Sequence, residues 1–324
     1  MNWKPLEAKK SRLDRLRPLK PALLRNLEDW LRVELTYSSN ALEGNTLTRQ
    51  ETALVLEKGL TVGGKTMREH LEATNHAAAL DRLGELASGK RPIGEEEICE
   101  LHGLILKGIQ DEHAGRYRDV AVRISRSAVI LPNPRKVPDL MRDFAAWIAA
   151  PGHPLEHAAQ AHYRLVSIHP FIDGNGRTAR LLMNLLLLRA GYPPALIAKE
   201  DRAKYLNALE KAQTGGSIED YHLVIFKAVE ATLDIYLLAA EGKQPRRSAA
   251  ENFGKKLMRI GALGKKSGET LATLRHWTKA GLLEAAAKSP SGYVSYDEDS
   301  LDRIDQIRKF QAQGKTLQEI KNLL

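Results

Sequence analysis

The stretch "HPFIDGNGRTAR", residues 169–180, decides how the chain around it folds. Pro170 disfavours helical backbone in the residue before it and has no amide N–H to donate, so a preceding helix must end near His169. The glycines of "DGNG" are typical of a turn. The leucine-rich run after Arg177 has helical spacing. The stretch therefore predicts a helix, a loop and a second helix, with His169 facing the loop.

The same loop has the composition of an anion site. Amide groups at a helix N-terminus attract phosphate, and arginines three residues apart, here Arg177 and Arg180, share one face of the first helical turn. Asp173 would repel phosphate unless a cation lay between them, which indicates Mg²⁺. His169 would then be a general base beside a bound nucleotide. Taken separately, a histidine at a helix end and a "DGNG" turn are common structural features.

Outside this stretch, the composition is that of an ordinary globular protein. The 324 residues are 43% hydrophobic and 27% charged, which is enough chain for two domains. Residues 120–131 alternate as in a strand and three prolines follow, which predicts a hairpin or flap. Elsewhere the first 240 residues are predicted to be mainly helical, because hydrophobic residues recur with helical spacing. These positions include Leu23, Leu27, Trp30, Leu31, Ile98, Leu101, Ile105, Leu140, Phe144, Trp147, Ile148, Leu181, Leu185, Leu188, Leu223, Phe226, Val229 and Leu233.

The cysteine content and the N-terminus bear on the compartment. Cys99 is the only cysteine, which excludes an intrachain disulfide and a thiolate metal cluster and fits a reducing environment. The N-terminal residues alternate charge with leucine, and the longest leucine run, residues 185–188, is too short to cross a bilayer. We expect a cytoplasmic protein without a membrane partner.

Positive charge is concentrated near the C-terminus. The net charge is +9, and residues 243–324 carry 16 Lys and Arg against 9 Asp and Glu. Residues 241–256 interrupt the helical pattern with Gly, Pro, Ser and basic residues, which is typical of a linker. We therefore predict a first domain at 1–242, a linker at 243–257 and a second domain at 258–324.

Residues 169–180 match every fixed position of the Fic signature, His-Pro-Phe-x-(Asp/Glu)-Gly-Asn-Gly-Arg-x-x-Arg. The first domain therefore resembles Fic domains, over roughly residues 20–240 with a core at about 95–240. "GRYR" at 115–118, the flap at 120–131 and "DRAKYLNALEKA" at 201–212 resemble further family segments. The resemblance implies a mainly α, Fic-type helical bundle with a small β-hairpin flap. It also implies transfer of AMP from ATP to a Ser, Thr or Tyr hydroxyl of a target protein, or of the enzyme itself.

The resemblance assigns a role to each residue of the loop. His169 deprotonates the target hydroxyl, Asp173 holds Mg²⁺ between the α- and β-phosphates, and Arg180 grips the γ-phosphate. Phe171 is a core anchor of the loop. Gln213 stands where relatives often have Asn, so the preference for adenine stays open. The remaining residues implied to bind nucleotide are Gly174, Asn175 and Gly176 in the anion hole, Arg177 on the leaving pyrophosphate and Tyr205 near the base. The helical spacing of Tyr205 is equally compatible with a core tyrosine.

A second motif lies upstream, in "TYSSNALEGNTLT" at residues 36–48. Glu43 in a last helical turn opposes the helix macrodipole, although a glutamate before a glycine cap is also a common surface feature. Ser39-x-x-x-Glu43-Gly44 resembles the inhibitory motif of Fic proteins with an N-terminal blocking helix. This resemblance implies that Glu43 pairs with Arg180 and keeps the γ-phosphate from its productive position.

Residues 258–324 resemble the DNA-binding head of MerR-type regulators, through "TLRHW", a Gly292-Tyr293 wing and "TLQEIKNLL". The resemblance implies a winged helix-turn-helix module that binds DNA. Val294 departs from it, because the wing commonly carries arginine there. A small helical module that docks a protein or positions the first domain is the alternative. The candidate DNA contacts are Thr273 and Arg275, with Lys265 and Lys266 on backbone phosphates.

Three functions are compatible with these motifs. The first is an autoinhibited AMP-transferase fused to a DNA-binding module. The second is a DNA-binding regulator whose Fic domain is a nucleotide sensor or a self-modifying switch. The third is removal of AMP, with Glu43 orienting water. A homodimer is possible in each case.

Overall fold

The computed structural model describes residues 1–125, 127–242, 258–283, 287–288, 294–296 and 299–323. Contacts divide the chain into two compact units, Met1–Gln244 and Pro245–Leu324, and each is described by itself. The linker predicted at 243–257 lies outside the described residues.

The first unit is helical, as the hydrophobic spacing predicts. None of the described helices is both long and apolar enough to cross a membrane. Short 3-10 turns lie at Pro134–Lys136 and Lys199–Asp201. The helices are α1 (Lys4–Asp14), α2 (Pro21–Leu42), α3 (Arg49–Lys58), α4 (Met67–Ser88), α5 (Glu95–Leu106), α6 (Val137–Ala149), α7 (Pro154–Ile168), α8 (Asn175–Arg189), α9 (Arg202–Gln213) and α10 (Glu219–Ala240).

Local sequence explains where the helices that surround the loop begin. Capping boxes start two of them: Thr48 and Glu51 satisfy each other's backbone amides at α3, and Thr66 and Glu69 do so at α4. Proline occupies the first turn of α2 and α7, where its missing amide N–H costs nothing. The starts of these four helices are therefore fixed locally.

Helix α8 is the centre of the first unit. It packs on α7, and α2, α4 and α5 also contact it. Its side chains are buried around most of its circumference, including Leu182, Leu185 and Leu187, which are fully buried. Burying one leucine stabilises a fold by about 1.5–3 kcal/mol, so the loop that enters α8 is anchored in the hydrophobic core of the unit.

The predicted flap is present as a turn, but no strand is formed in residues 120–125 or 127–131. The Ser127 amide donates to the Ile124 carbonyl at 3.2 Å. Side chains outside the flap hold it in place. The Ala128 amide donates to Glu210 at 2.7 Å, and Arg118 donates to the carbonyls of Val120 and Pro132 at 3.1 and 2.7 Å. The β-hairpin part of the fold prediction is corrected to an extended flap held by side chains.

The second unit contains a helix-turn-helix. Helices α11 (Ile260–Ser267) and α12 (Leu271–Ala280) are joined by residues 268–270, with Gly268 at φ 74°. Three short strands, β1 (Met258–Arg259), β2 (Ala287–Lys288) and β3 (Val294–Tyr296), form an antiparallel sheet in the order β1-β3-β2. Helices α13 (Asp299–Ala312) and α14 (Leu317–Leu323) follow. The buried core includes Leu263, Leu274, Trp277, Leu283, Tyr296, Ile304 and Ile320.

Candidate active site

The loop between α7 and α8 begins at an unusual backbone position. His169 has φ 52° and ψ 58°, and among the described residues it is the only one other than glycine with positive φ. This left-handed conformation costs about 1–2 kcal/mol. It is held by the His169 amide on the Leu165 carbonyl at 2.9 Å, and by buried Arg118, whose Nε donates to the His169 carbonyl at 2.8 Å. The backbone that carries the imidazole is therefore fixed from both sides.

One ring nitrogen of His169 is hydrogen-bonded, and the other has no partner among the described residues and can accept a proton. Nδ1 lies 3.3 Å from the Val166 carbonyl, which can only accept, so Nδ1 carries the proton and Nε2 presents its lone pair. Burial lowers the pKa of His169, and the bond to Val166 only partly opposes this. The side chain is consequently neutral at pH 7, as a general base has to be.

The middle of the loop is pinned by Phe171 and His102. The two rings stack at a centroid distance of 3.6 Å, and Phe171 is fully buried, as its predicted role as a core anchor requires. The His102 Nδ1 accepts from the Gly115 amide at 3.0 Å, so its Nε2 donates to the Asp173 carbonyl, also at 3.0 Å. Burial lowers the pKa of His102 to about 4 and keeps the ring neutral.

Asn175 contributes to the loop in a different way from the one predicted. Its side-chain oxygen accepts from the Phe171 amide and its Nδ2 donates to the Phe171 carbonyl, each at 2.9 Å. Asn175 is 2% exposed. Its side chain therefore holds the loop closed and is not a donor to an anion. Only its backbone amide stays available for the anion hole.

Both glycines of the loop are required by close approaches. Gly174 has φ 76°, and a Cβ there would lie 3.3 Å from the His102 ring and from Ile105. A Cβ at Gly176 would collide with the Glu43 carboxylate. The chain at Gly174 and Gly176 thus has no side chain at the entry to α8, which suits an anion, and a carboxylate already lies against Gly176.

That carboxylate comes from the C-terminal end of α2. Glu43 is the residue directly after the helix, and its Oε1 accepts from the Arg180 Nη2 at 2.7 Å. One turn earlier, the hydroxyl and the carbonyl of Ser39 accept from Arg180 at 3.0 Å each. Arg180 is 6% exposed. The contacts expected from the inhibitory motif are therefore present.

The comparisons with known proteins agree with this geometry. Residues 92–187 match the model of the Fic/DOC family. The structure of a Fic domain containing signaling protein from Bacteroides thetaiotaomicron is 31% identical with a TM-score of 0.64, and the match covers 74% of this chain and 98% of that one. The chain belongs to the Fic/DOC family. A fragment of Fic-1 from C. elegans is 33% identical with a TM-score of 0.64, over 73% of this chain and 72% of that one.

Curated Fic relatives are longer than this chain. Protein adenylyltransferase Fic of Drosophila willistoni is 38% identical over 238 residues, which are 72% of this chain and 47% of the relative. The protein of the same name from Drosophila melanogaster is 40% identical over 207 residues, which are 63% of this chain and 42% of the relative. The chain thus spans less than half of each relative.

Residues 258–324 match a separate family model, that of the MerR HTH family regulatory proteins.

Tyr205 is not where the Fic resemblance led us to expect it. It is 1% exposed, and its hydroxyl lies 2.7 Å from Nε2 of His162, which Tyr221 contacts from the other side at 2.9 Å. Its helical spacing with buried Leu209 is the sequence signal for this core position. The predicted contact of Tyr205 with the nucleotide base is therefore corrected to a core role.

Gln213 donates to the Ser167 hydroxyl at 3.1 Å.

Two residues of α4 reach the Fic loop without any signal in the loop motif. Arg68 donates from Nη2 to the Asp173 Oδ2 at 2.8 Å, and Glu72 lies 3.6 Å from Arg177. Burial opposes the charge on Asp173, but Arg177, the Gly174 amide and Arg68 outweigh it and lower the pKa of its carboxyl. The sequence gives no hint of this contact, because Arg68 and Asp173 are 105 positions apart.

The candidate DNA contacts lie on the helix-turn-helix. Lys265 and Lys266 are exposed on α11, and Arg275 is exposed on α12. Thr273 is half-buried, its hydroxyl lies 2.8 Å from that of Thr270, and its amide bonds to the same group at 3.1 Å. Thr273 therefore supports the start of α12, and a DNA contact would compete with that bond. Gly292 and Tyr293 lie outside the described residues.

Proposed function

We propose that this protein is a protein adenylyltransferase, which transfers AMP from ATP to a Ser, Thr or Tyr hydroxyl of a target protein or of itself. The observation that carries the proposal is the placement of His169 in the loop that leads into α8: its Nδ1 lies on the Val166 carbonyl, and its Nε2 has no partner among the described residues. The names of the curated relatives support the same reaction.

The chain's own residues account for the proton and the charge in this reaction. His169 Nε2 takes the proton of the target hydroxyl, whose oxygen bonds to the α-phosphorus as the bond to the β-phosphate oxygen breaks. The amides of Asn175 and Gly176 at the start of α8 and the guanidiniums of Arg177 and Arg180 neutralise charge on the phosphates. In transfer of this type, positioning and charge stabilisation supply most of the rate.

Asp173 fits the role of Mg²⁺ ligand in this proposal. Its side chain is 38% exposed, it offers a hard carboxylate oxygen, and a cationic group, the Arg68 guanidinium, already lies against Oδ2. When bound, Mg²⁺ would supply positive charge that neutralises the phosphates of ATP. Asp173, itself held by the His102 bond to its carbonyl, would orient the cation relative to the α8 amides.

The conformation described here corresponds to the inhibited state of the proposed enzyme. The Glu43 carboxylate and a γ-phosphate would compete for the same guanidinium of Arg180, because both are anions that Arg binds through paired N–H donors. Removal of AMP by a water that Glu43 orients is the third activity. The cytoplasmic location and the homodimer stay predictions.

We expect the pH dependence of transfer to report His169. In a Glu43→Gly background, kcat/KM should rise with pH through a pKa below the ordinary histidine value of 6.5 and stay level from about pH 7 to 8, because burial favours the neutral, basic form. Initial rates of label transfer from α-labelled ATP between about pH 5 and 8 measure this. An acid limb centred above 7 would contradict the assignment of His169 as a neutral base.

The second candidate function, a DNA-binding regulator with a self-modifying Fic unit, is favoured by the helix-turn-helix. Gly268 permits the turn between α11 and α12, and Arg308 of α13 fixes that turn by donating to Ser267 and Glu269 at 2.7 and 2.8 Å. Exposed Arg275 on α12 could then reach base edges, with Lys265 on a phosphate. Self-labelling without labelling of other proteins would favour this candidate.

We expect Arg275→Ala to weaken binding to a duplex selected from a random library by about 5- to 150-fold, because one base-reading arginine contributes about 1–3 kcal/mol. Lys265→Ala should weaken binding to all duplexes alike and lower the salt slope by about one. Fluorescence anisotropy on the full chain measures both, and Lys309→Ala, an exposed lysine of α13, is the control. Failure to select any duplex would favour the alternative of a protein-docking module.

A further inference from the structure

Four charged side chains form a closed ring at the mouth of the Fic loop. Arg68 and Glu72 are one turn apart on α4 and 3.2 Å apart. Asp173 and Arg177 are also four residues apart, at 3.5 Å. Across the two pairs, Arg68 lies 2.8 Å from Asp173 and Glu72 lies 3.6 Å from Arg177. Each charge therefore has an opposite charge on both sides.

The ring occupies groups that the proposed reaction needs free. Oδ2 of Asp173 accepts from Arg68, and Oδ1 accepts from the Gly174 amide at 2.6 Å. A divalent cation that binds Asp173 would meet the positive charge of Arg68 and must displace it from Oδ2. Arg177 is 2% exposed, and its Nε has no hydrogen-bond partner among the described residues. In the proposed complex, this unpaired N–H could donate to a phosphate oxygen.

The ring is also connected to the inhibitory segment. Asn45, two residues after Glu43, is buried and donates from Nδ2 to the Glu72 Oε2 at 2.9 Å. Asn40 of α2 donates to the Glu72 carbonyl at 3.0 Å. Glu72 is thus held by the same segment that places Glu43 on Arg180. Glu43, directly after α2, thus pairs with Arg180, while Glu72 of α4 pairs with Arg177 and Arg68 of α4 pairs with Asp173.

We infer that Arg68 is a further determinant of the metal site: its guanidinium occupies the place of the cation on Asp173 and lowers the metal affinity of the free enzyme. The inference rests on the proposed function, in which Asp173 is the metal ligand. Arg68 is 51% exposed, so its pair with Asp173 is weak enough for a divalent cation to exchange with it. Because half of the Arg68 side chain is in solvent, we expect its substitution to leave the fold intact.

The test is a Mn²⁺ titration of the full-length protein, followed by paramagnetic broadening of the Gly174 amide signal. That amide donates to Asp173 and reports metal at this carboxylate. We expect the Mn²⁺ concentration for half broadening to fall by about 3- to 10-fold in Arg68→Met, because a competing charge is removed while the length of the stem is kept. Arg68→Lys, which keeps the charge, should stay within about twofold of the wild type.

The matched control is Arg82→Met. Arg82 is on the same helix, pairs with Glu100 at 2.7 Å and is 34% exposed, but lies about 21 Å along α4 from Arg68. It should leave the titration unchanged. An equal or higher Mn²⁺ midpoint in Arg68→Met than in the wild type overturns the inference. Asp173→Asn should abolish the broadening; if it does not, the metal placement in the proposed function is wrong. If the broadening depends on Asp173 but the midpoints of Arg68→Met and the wild type are equal, the role of Arg68 is wrong and the metal placement stands.

Discussion

His169→Ala abolishes AMP transfer while nucleotide binding is retained: this is the largest effect that we expect. General-base catalysis contributes about 10²- to 10⁴-fold, and in this loop Nε2 of His169 is the nitrogen left free by the bond of Nδ1 to Val166. The measurement is label transfer from α-labelled ATP, in a Glu43→Gly background where there is activity to lose. Binding of a non-transferable α,β-methylene ATP by calorimetry should be unchanged, because the arginines and amides are untouched.

Two further variants make this result specific. His169→Asn removes the base but keeps a residue that tolerates positive φ, so a loss of transfer in both variants cannot be ascribed to the backbone. His113→Ala removes a half-exposed imidazole from a different loop and should transfer AMP at the parent rate. Transfer at more than about a tenth of the parent rate in both His169 variants would show that another group takes the proton.

Glu43→Gly raises AMP transfer by about 5- to 150-fold, the range of a coupling energy of about 1–3 kcal/mol. The physical reason is that Arg180 loses its 2.7 Å partner and becomes available to the γ-phosphate. The measurement is the initial rate of transfer at subsaturating ATP, together with mass spectrometry of a lysate to identify the adduct and the modified residue. Ser39 should keep Arg180 in place in this variant, because both of its contacts remain.

The control for Glu43 is Glu28→Gly. Glu28 is an exposed carboxylate on the same helix, about 22 Å from Glu43 along the helix axis, so its removal should not change transfer. Unchanged transfer in a folded Glu43→Gly variant would contradict autoinhibition. A variant that transfers no faster but no longer removes AMP from a modified target would instead favour the third activity.

How much of this could be predicted depends on how local the cause is. The helix end at His169 was predictable, because Pro170 fixes it from the next position. The turn at Gly174 was also predictable from neighbouring residues, because the glycines of "DGNG" are typical of a turn. The ion pair of Glu43 with Arg180 spans 137 positions, and only the family resemblance indicated it. Arg68 on Asp173 spans 105 positions and had no motif, so it was missed.

Side-chain direction was the other limit of prediction from the sequence. The type and spacing of Asn175 and Tyr205 are right for a nucleotide site. In the structure, however, Asn175 bonds to the Phe171 backbone and Tyr205 to His162. A motif fixes which residue is present, whereas packing decides which way it turns. The flap was predicted correctly, but its strand pairing was not, for a related reason: the alternation of residues could not show that Glu210 and Arg118 would form hydrogen bonds with this segment.

Helix α2 ends directly before Glu43, the proposed inhibitory residue, and buries eleven residues, among them Leu31, Leu35 and Leu42. A helix with that much core cannot leave without unfolding its unit, so we expect that any relief of inhibition comes from rotation of the Glu43 side chain at its end. Such rotations take picoseconds to nanoseconds, far faster than any turnover. The positions of the Glu43 side chain would therefore be in rapid equilibrium during turnover, and activity would follow the current concentrations of ATP and effectors.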